Sequence, residues 1–99
     1  MLDMPITIVH NVDRHRFEVT VDGQVARADY RLVAGVMRMY HTEVPPALEG
    51  RGIASALVRA AVSYAREHAL HVRPDCPYVH SYMQRHPDTH DLLPEGFEF

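Results

Sequence analysis

The hydrophobic period of this chain first changes around Gly50-Arg51-Gly52, and that change limits the fold more than any other feature. Ahead of it, Phe17, Val19 and Val21 alternate with Arg16, Glu18 and Thr20, the period-two pattern of a half-buried strand. Asp22-Gly23 comes next and predicts a tight hairpin, because both turn positions tolerate positive φ. The return strand places Ala26, Ala28, Tyr30 and Leu32 on one face. Gly35 marks a second turn, and Val36 to Val44 reads as a fourth strand, with the β-rich run Ile6 to His10 as the first. Past the change, Ile53, Leu57, Ala61, Tyr64 and Ala65 fall at helical spacing, with Arg59, Ser63, Arg66 and Glu67 mostly off that stripe. This helix is expected to run to His68. Leu70 to Arg73 reads as a fifth strand, parallel to the fourth through a right-handed crossover because a helix intervenes. Pro77 suits the first position of a second helix carrying Tyr78, Val79, Tyr82 and Met83, with Cys76 at its N-cap and its end before Pro87. Asp88 is placed to cap a last turn containing Leu92 and Leu93. The expected class is α+β, a mixed, mostly antiparallel five-stranded sheet with two to three helices.

The totals narrow the function classes. Ninety-nine residues make a single domain over positions 1–99, with one modest core. No run approaches the roughly 20 apolar residues of a membrane span. The N-terminus lacks a basic region followed by an apolar core, so no secretory leader is expected. The single cysteine, Cys76, rules out an internal disulfide and fits a reducing compartment, so a cytoplasmic protein is expected. A monomer is expected as well, without a residue that decides it. A net charge of −3 argues against general nucleic-acid binding, which depends on a basic surface.

The stretch Val44-Pro45-Pro46-Ala47-Leu48-Glu49-Gly50-Arg51-Gly52-Ile53-Ala54-Ser55 joins the fourth strand to the first helix. Gly50 and Gly52 let backbone approach a ligand without an intervening Cβ. The first helical turn leaves several N–H groups without intrahelical partners, and the helix dipole adds to them, which makes a site for phosphate oxygens. Arg51 adds a cation and Ser55 a hydroxyl. A plain strand-to-helix turn has the same glycines. Neither a Gly-x-x-x-x-Gly-Lys-Ser/Thr loop nor a full Gly-x-Gly-x-x-Gly is present.

The same stretch resembles the acyl-CoA binding motif of the GCN5-related N-acetyltransferases, a valine followed after four residues by Gln/Arg-x-x-Gly-x-Gly/Ala. Val44 matches the valine, Gly52 the glycine and Ala54 the small residue, whereas Glu49 stands where Gln or Arg is usual. The chain is also similar from end to end to a minimal branch of that superfamily. The likeness rests on His41-Thr42-Glu43-Val44-Pro45, Gly50-Arg51-Gly52-Ile53-Ala54 and Pro74-Asp75-Cys76-Pro77-Tyr78. It implies that fold without the early helices of larger relatives, coenzyme A or acetyl-CoA as the bound donor, and an amine acceptor. It also implies a donor site formed by Thr42, Val44, Glu49, Gly50, Arg51, Gly52, Ile53, Ala54 and Ser55. In the superfamily a backbone N–H on the fourth strand meets the thioester carbonyl, and by position that is the N–H of Thr42.

The proton acceptor is not given by the resemblance. Six residues ahead of Val44, where histone-modifying relatives carry a glutamate base, stands Arg38, which has no acceptor. Candidates are His41 and Glu43, which share a strand face, and Cys76, whose place at a helix N-terminus favours a thiolate. Each has a structural alternative: a hydrogen-bonded strand histidine, or an inert buried cysteine. Tyr78, with Tyr82 one turn on, is a candidate proton donor to the leaving thiolate, although such tyrosines are more often core with a polar tip. Cys76, His80, His86 and His90 match no standard zinc spacing, so no metal is expected. Three functions fit: an acyl-CoA-dependent N-acyltransferase, a CoA-binding module with little or no catalysis, and an interaction protein that keeps the fold alone.

Overall fold

The computed structural model describes residues 6–99. Five strands form one sheet in chain order: β1 (Val9–Asn11), β2 (Arg16–Val21), β3 (Gln24–Val33), β4 (Val36–Glu43) and β5 (His71–Pro74). The first four pair antiparallel and β5 joins β4 in parallel. Between β4 and β5 run a 3₁₀ turn (Pro46–Leu48) and α1 (Ile53–Glu67). After β5 come α2 (Pro77–Arg85) and a 3₁₀ segment (Pro87–Leu92). This is the expected α+β class, with the crossover supplied by α1.

Alternation decides which face is covered. Phe17, Val19, Ala26, Ala28, Tyr30, Met37, Met39 and Val72 are buried on one face of the sheet. Against them α1 lays Ile53, Leu57, Val58, Ala61 and Ala65, and α2 adds Val79 and Met83. The opposite face carries Arg16, Glu18, Arg27, Asp29, Arg31, Arg38, Glu43 and Arg73, all at least partly open to solvent. The molecule is therefore two layers, with one sheet face left uncovered.

Asp22 and Gly23 both have positive φ, 51° and 77°, as a twist-matched two-residue hairpin requires. The ends of β4, α1 and β5 each differ by one residue from the sequence reading, and three other placements differ for a physical reason. The first strand is Val9–Asn11 rather than Ile6 to His10, because pairing with β2 and an Asn11–Glu18 hydrogen bond set its register, while Ile6 stays exposed. Leu32 shares the inner face but is 47% exposed, since it sits near the β3–β4 hairpin tip, where Val33 and Ala34 are open too. Asp88 lies inside the first turn of the last 3₁₀ segment, whose N-cap is His86. Proline at the first position starts that turn and needs no side-chain cap. Leu92 is buried as expected.

Candidate active site

Beyond Met39 the two parallel strands part. Their pairing ends at Met39 and Pro74, and the Cys76 N–H then donates to the Met39 carbonyl at 2.9 Å, turning the chain into α2. One residue further along β4 there is a bulge: Tyr30 pairs with Met39 but Asp29 pairs with His41, leaving Tyr40 as the extra residue. Backbone groups facing β5 come from alternate residues, as the Gly35 and Met39 carbonyls show by accepting from His71 and Cys76. Regular alternation brings His41 next; the bulge passes that place to Thr42. Burial tracks the same shift, with Met39 buried, Tyr40 and His41 exposed and Thr42 half-buried. The Thr42 N–H thus points into the gap between the strands.

That gap opens into a cleft of about 560 Å³ lined by Thr42, Glu43, Val44, Leu48, Glu49, Gly50, Gly52, Ile53, Ala54, Ser55 and Tyr78. Its far end is the head of α1. The N-cap is Gly52 with φ 75°, Gly50 has φ 80°, and a Cβ built on either meets nothing within 4 Å. These glycines are needed for their left-handed backbone rather than for packing space. The first turn closes with Ala56 N–H on the Gly52 carbonyl, so the N–H groups of Ile53, Ala54 and Ser55 precede it and remain for a ligand. Leu48, 1% exposed, anchors the 3₁₀ turn to the core and sets where the glycine loop begins.

Most of the residues expected in the donor site meet in this cleft. Arg51 does not line it, although it lies between the two glycines. Tyr78 lines it from the first turn of α2, whereas Tyr82 is buried and stacks on His86 at 4.0 Å. Cys76 is the expected N-cap and is 6% exposed; its Sγ lies 3.5 Å from Thr42 Oγ1, behind the cleft wall. His41 stands on the open face of the sheet, where its Nε2–H donates to Glu43 Oε1 at 3.2 Å. Glu43 takes Arg27 on its other oxygen at 3.3 Å, and of the pair it is Glu43 that reaches the cleft. The His41 hydrogen bond, followed by the Arg27 charge, holds the Glu43 carboxyl below its ordinary range. Leu48 was not anticipated as lining; its signal was an apolar side chain in a proline-started turn.

The four side chains with possible metal chemistry near the C-terminus have separate roles. Cys76 faces Thr42, His80 packs near Phe97 and Phe99, and His86 and His90 bond to the carbonyls of Tyr82 and Met83. Among the described residues no group of three or more metal-ligating side chains converges. No helix among them is long and apolar enough to cross a membrane.

Known proteins resemble this chain in sequence and fold. The mouse protein NATD1 is 36% identical over 86 residues, covering 84% of this chain and 78% of its own. The human NATD1 protein is also 36% identical, with 84% and 76% covered. A Staphylococcus aureus protein described as a GCN5-like candidate N-acetyltransferase has a solution structure that superposes with a TM-score of 0.72 at 25% identity, over 99% of this chain and 94% of that one. A sequence model of the GCN5-related N-acetyl-transferases matches residues 16–92, from the start of β2 to the last 3₁₀ segment. The strand gap and glycine-started helix therefore sit inside a match that spans most of the sheet and both helices, and the chain belongs to the GCN5-related N-acetyltransferase family.

Proposed function

We propose that the chain is an acyl-CoA-dependent N-acyltransferase that passes an acetyl group directly from acetyl-CoA to an amine. Family membership supports a general acyl-transfer role. The observation that carries the finer reading is one continuous cleft joining the unpaired N–H groups at the head of α1 to the Thr42 N–H in the strand gap. The residues present fit the donor. Ile53, Ala54 and Ser55 offer N–H groups to pyrophosphate oxygens at the positive end of α1, and Val44 gives an apolar wall to the pantetheine arm.

When bound, acetyl-CoA supplies a thioester already activated for attack. The Thr42 N–H donates toward the carbonyl oxygen, where negative charge develops. Glu43 accepts a proton from the incoming amine, and His41 and Arg27 hold its two oxygens in place and link it to solvent. The Tyr78 hydroxyl is the proton donor to the departing thiolate. Cys76, behind Thr42, keeps the wall in position in this reading.

Calorimetry with acetyl-CoA tests the binding half, with saturable heat in the micromolar to millimolar range expected; no binding at millimolar ligand sinks the proposal. Thiol release over a panel of amines and lysine peptides tests the transfer half. Glu43→Gln should lower kcat/KM by about a hundredfold or more, leaving acetyl-CoA affinity within about twofold. One observation favours a second reading, a CoA-binding module with little or no catalysis. Arg38, in the place of the glutamate base, is tied to Asp75 at 2.9 Å and cannot accept a proton. Binding without thiol release across the whole panel would select it.

A further inference from the structure

The uncovered sheet face holds a row of arginines that the acyl-transfer chemistry does not use. Arg31 on β3 is registered opposite Arg38 on β4, and Arg38 opposite Arg73 on β5. Three like charges thus lie abreast on one face, a cross-strand arrangement that repels. One carboxylate serves them. Asp75 accepts from Arg38 Nε and Arg73 Nε, each at 2.9 Å, while Arg31 lies over the Tyr40 ring at 4.9 Å. The other carboxylates of the face, Glu18, Asp29 and Glu43, are engaged by Arg16 or Arg27. Among the described residues no side-chain acceptor meets the Nη groups of Arg38 and Arg73, and both side chains are about half open to solvent, at 45% and 50%. Asp75 fixes both stems by Nε and leaves two forks free, a geometry suited to a bidentate oxyanion.

The row crosses β4 and β5 one residue before their last paired position, beyond which the gap opens. Asp75 adjoins Cys76, whose N–H binds Met39 at the last paired position and whose Sγ faces Thr42. The arginines and the gap are thus neighbours along β4 and β5. We propose that Arg38 and Arg73, with Arg31 beside them, bind the acidic group of the acceptor, so that the acceptor is a small amine bearing a carboxylate or phosphate. This rests on the acyl-transfer reading. It also assigns Arg38 a task that accounts for a cation at the position where other members of the superfamily place a base.

Two matched pairs of probes test it: β-alanine with β-alaninamide, and phosphoethanolamine with ethanolamine. Nitrogen-15-labelled protein is titrated with each while the arginine side-chain N–H signals are monitored, and thiol release from acetyl-CoA is measured in parallel. The acidic member of each pair should shift the Arg38 and Arg73 signals and be acetylated with a kcat/KM at least about tenfold above its neutral partner. Arg38→Gln and Arg73→Gln should each remove that preference, leave the neutral partner's rate unchanged and leave acetyl-CoA affinity within about twofold. Equal shifts and equal rates for acidic and neutral members overturn the anion site while leaving acyl transfer standing. Arginine shifts with no acetyl-CoA binding overturn acyl transfer, and with it the acceptor role, while the anion site stands. Acidic probes that leave the arginine signals unmoved overturn the proposal outright.

Discussion

Gly52 holds a left-handed conformation, φ 75°, at the point where the cleft meets α1. A Cβ there touches nothing within 4 Å, so Gly52→Ala adds backbone strain without a clash. The expected cost is about 1 kcal/mol of stability, read by urea denaturation, with weaker acetyl-CoA binding because the N–H groups of the first turn lose their aim. Ala34 presents the reverse case. It has φ 50° in the β3–β4 hairpin tip, is exposed, and is not glycine. Ala34→Gly trades a left-handed strain of about 1–2 kcal/mol for a smaller entropic loss, so stability should rise by roughly 0.5 kcal/mol and Tm by a few degrees. An unchanged or lower Tm would show that the tip carries no strain.

At the scale of elements, β1 is the least secured strand, with three residues on a sheet edge. His10 ties it inward: its ring stacks on Phe17 at 4.1 Å, meets Tyr64 of α1 edge-on at 4.3 Å and shares a hydrogen bond with Tyr30 of β3. Burial, and then the nearby His68 and His15, hold its pKa below the ordinary imidazole value. A lowered folded-state pKa means that the unfolded chain binds more protons once the pH drops below about 6.5. The stability His10 contributes is therefore complete above that pH and is lost as the pH falls through the folded-state value. Urea midpoints measured between about pH 7.5 and 5 should decline in the native chain. They should decline less in His10→Phe, which keeps the ring stacking and removes the titrating group. The β4–β5 pair shows a different control: the bulge at Tyr40 turns the end of β4, so that Thr42 faces the gap and His41 and Glu43 face the open side of the sheet.

Over the whole molecule, one apolar core lies between the sheet and its helices, and every buried side chain in it belongs to the same cluster. Leu57, fully buried in the second turn of α1, belongs to that shared core, so Leu57→Ala should cost about 2–5 kcal/mol in one cooperative transition. This is a large share of the roughly 5–15 kcal/mol that holds such a domain. The second to fifth strands, the crossover and the starts of α1 and α2 were legible in the sequence because alternation, Asp22-Gly23, Gly52 and Pro77 act through local backbone sterics and the burial of one face. The glycine loop at the head of α1 was legible for the same reason, since the placement of its N–H groups is set by where a helix starts. The end of β1 was not, because a β-rich run does not name its partner. Nor was it legible that Glu43 rather than His41 reaches the cleft, since a bulge inserts a residue through pairing with β3 and reverses every side chain after it. The row formed by Arg31, Arg38 and Arg73 was equally out of reach. The chain itself determined the elements and the head of α1, because those depend on neighbours in sequence. Only the tertiary structure decided which groups face the gap and which stand abreast on the open face, because register between strands joins residues that are far apart in the chain.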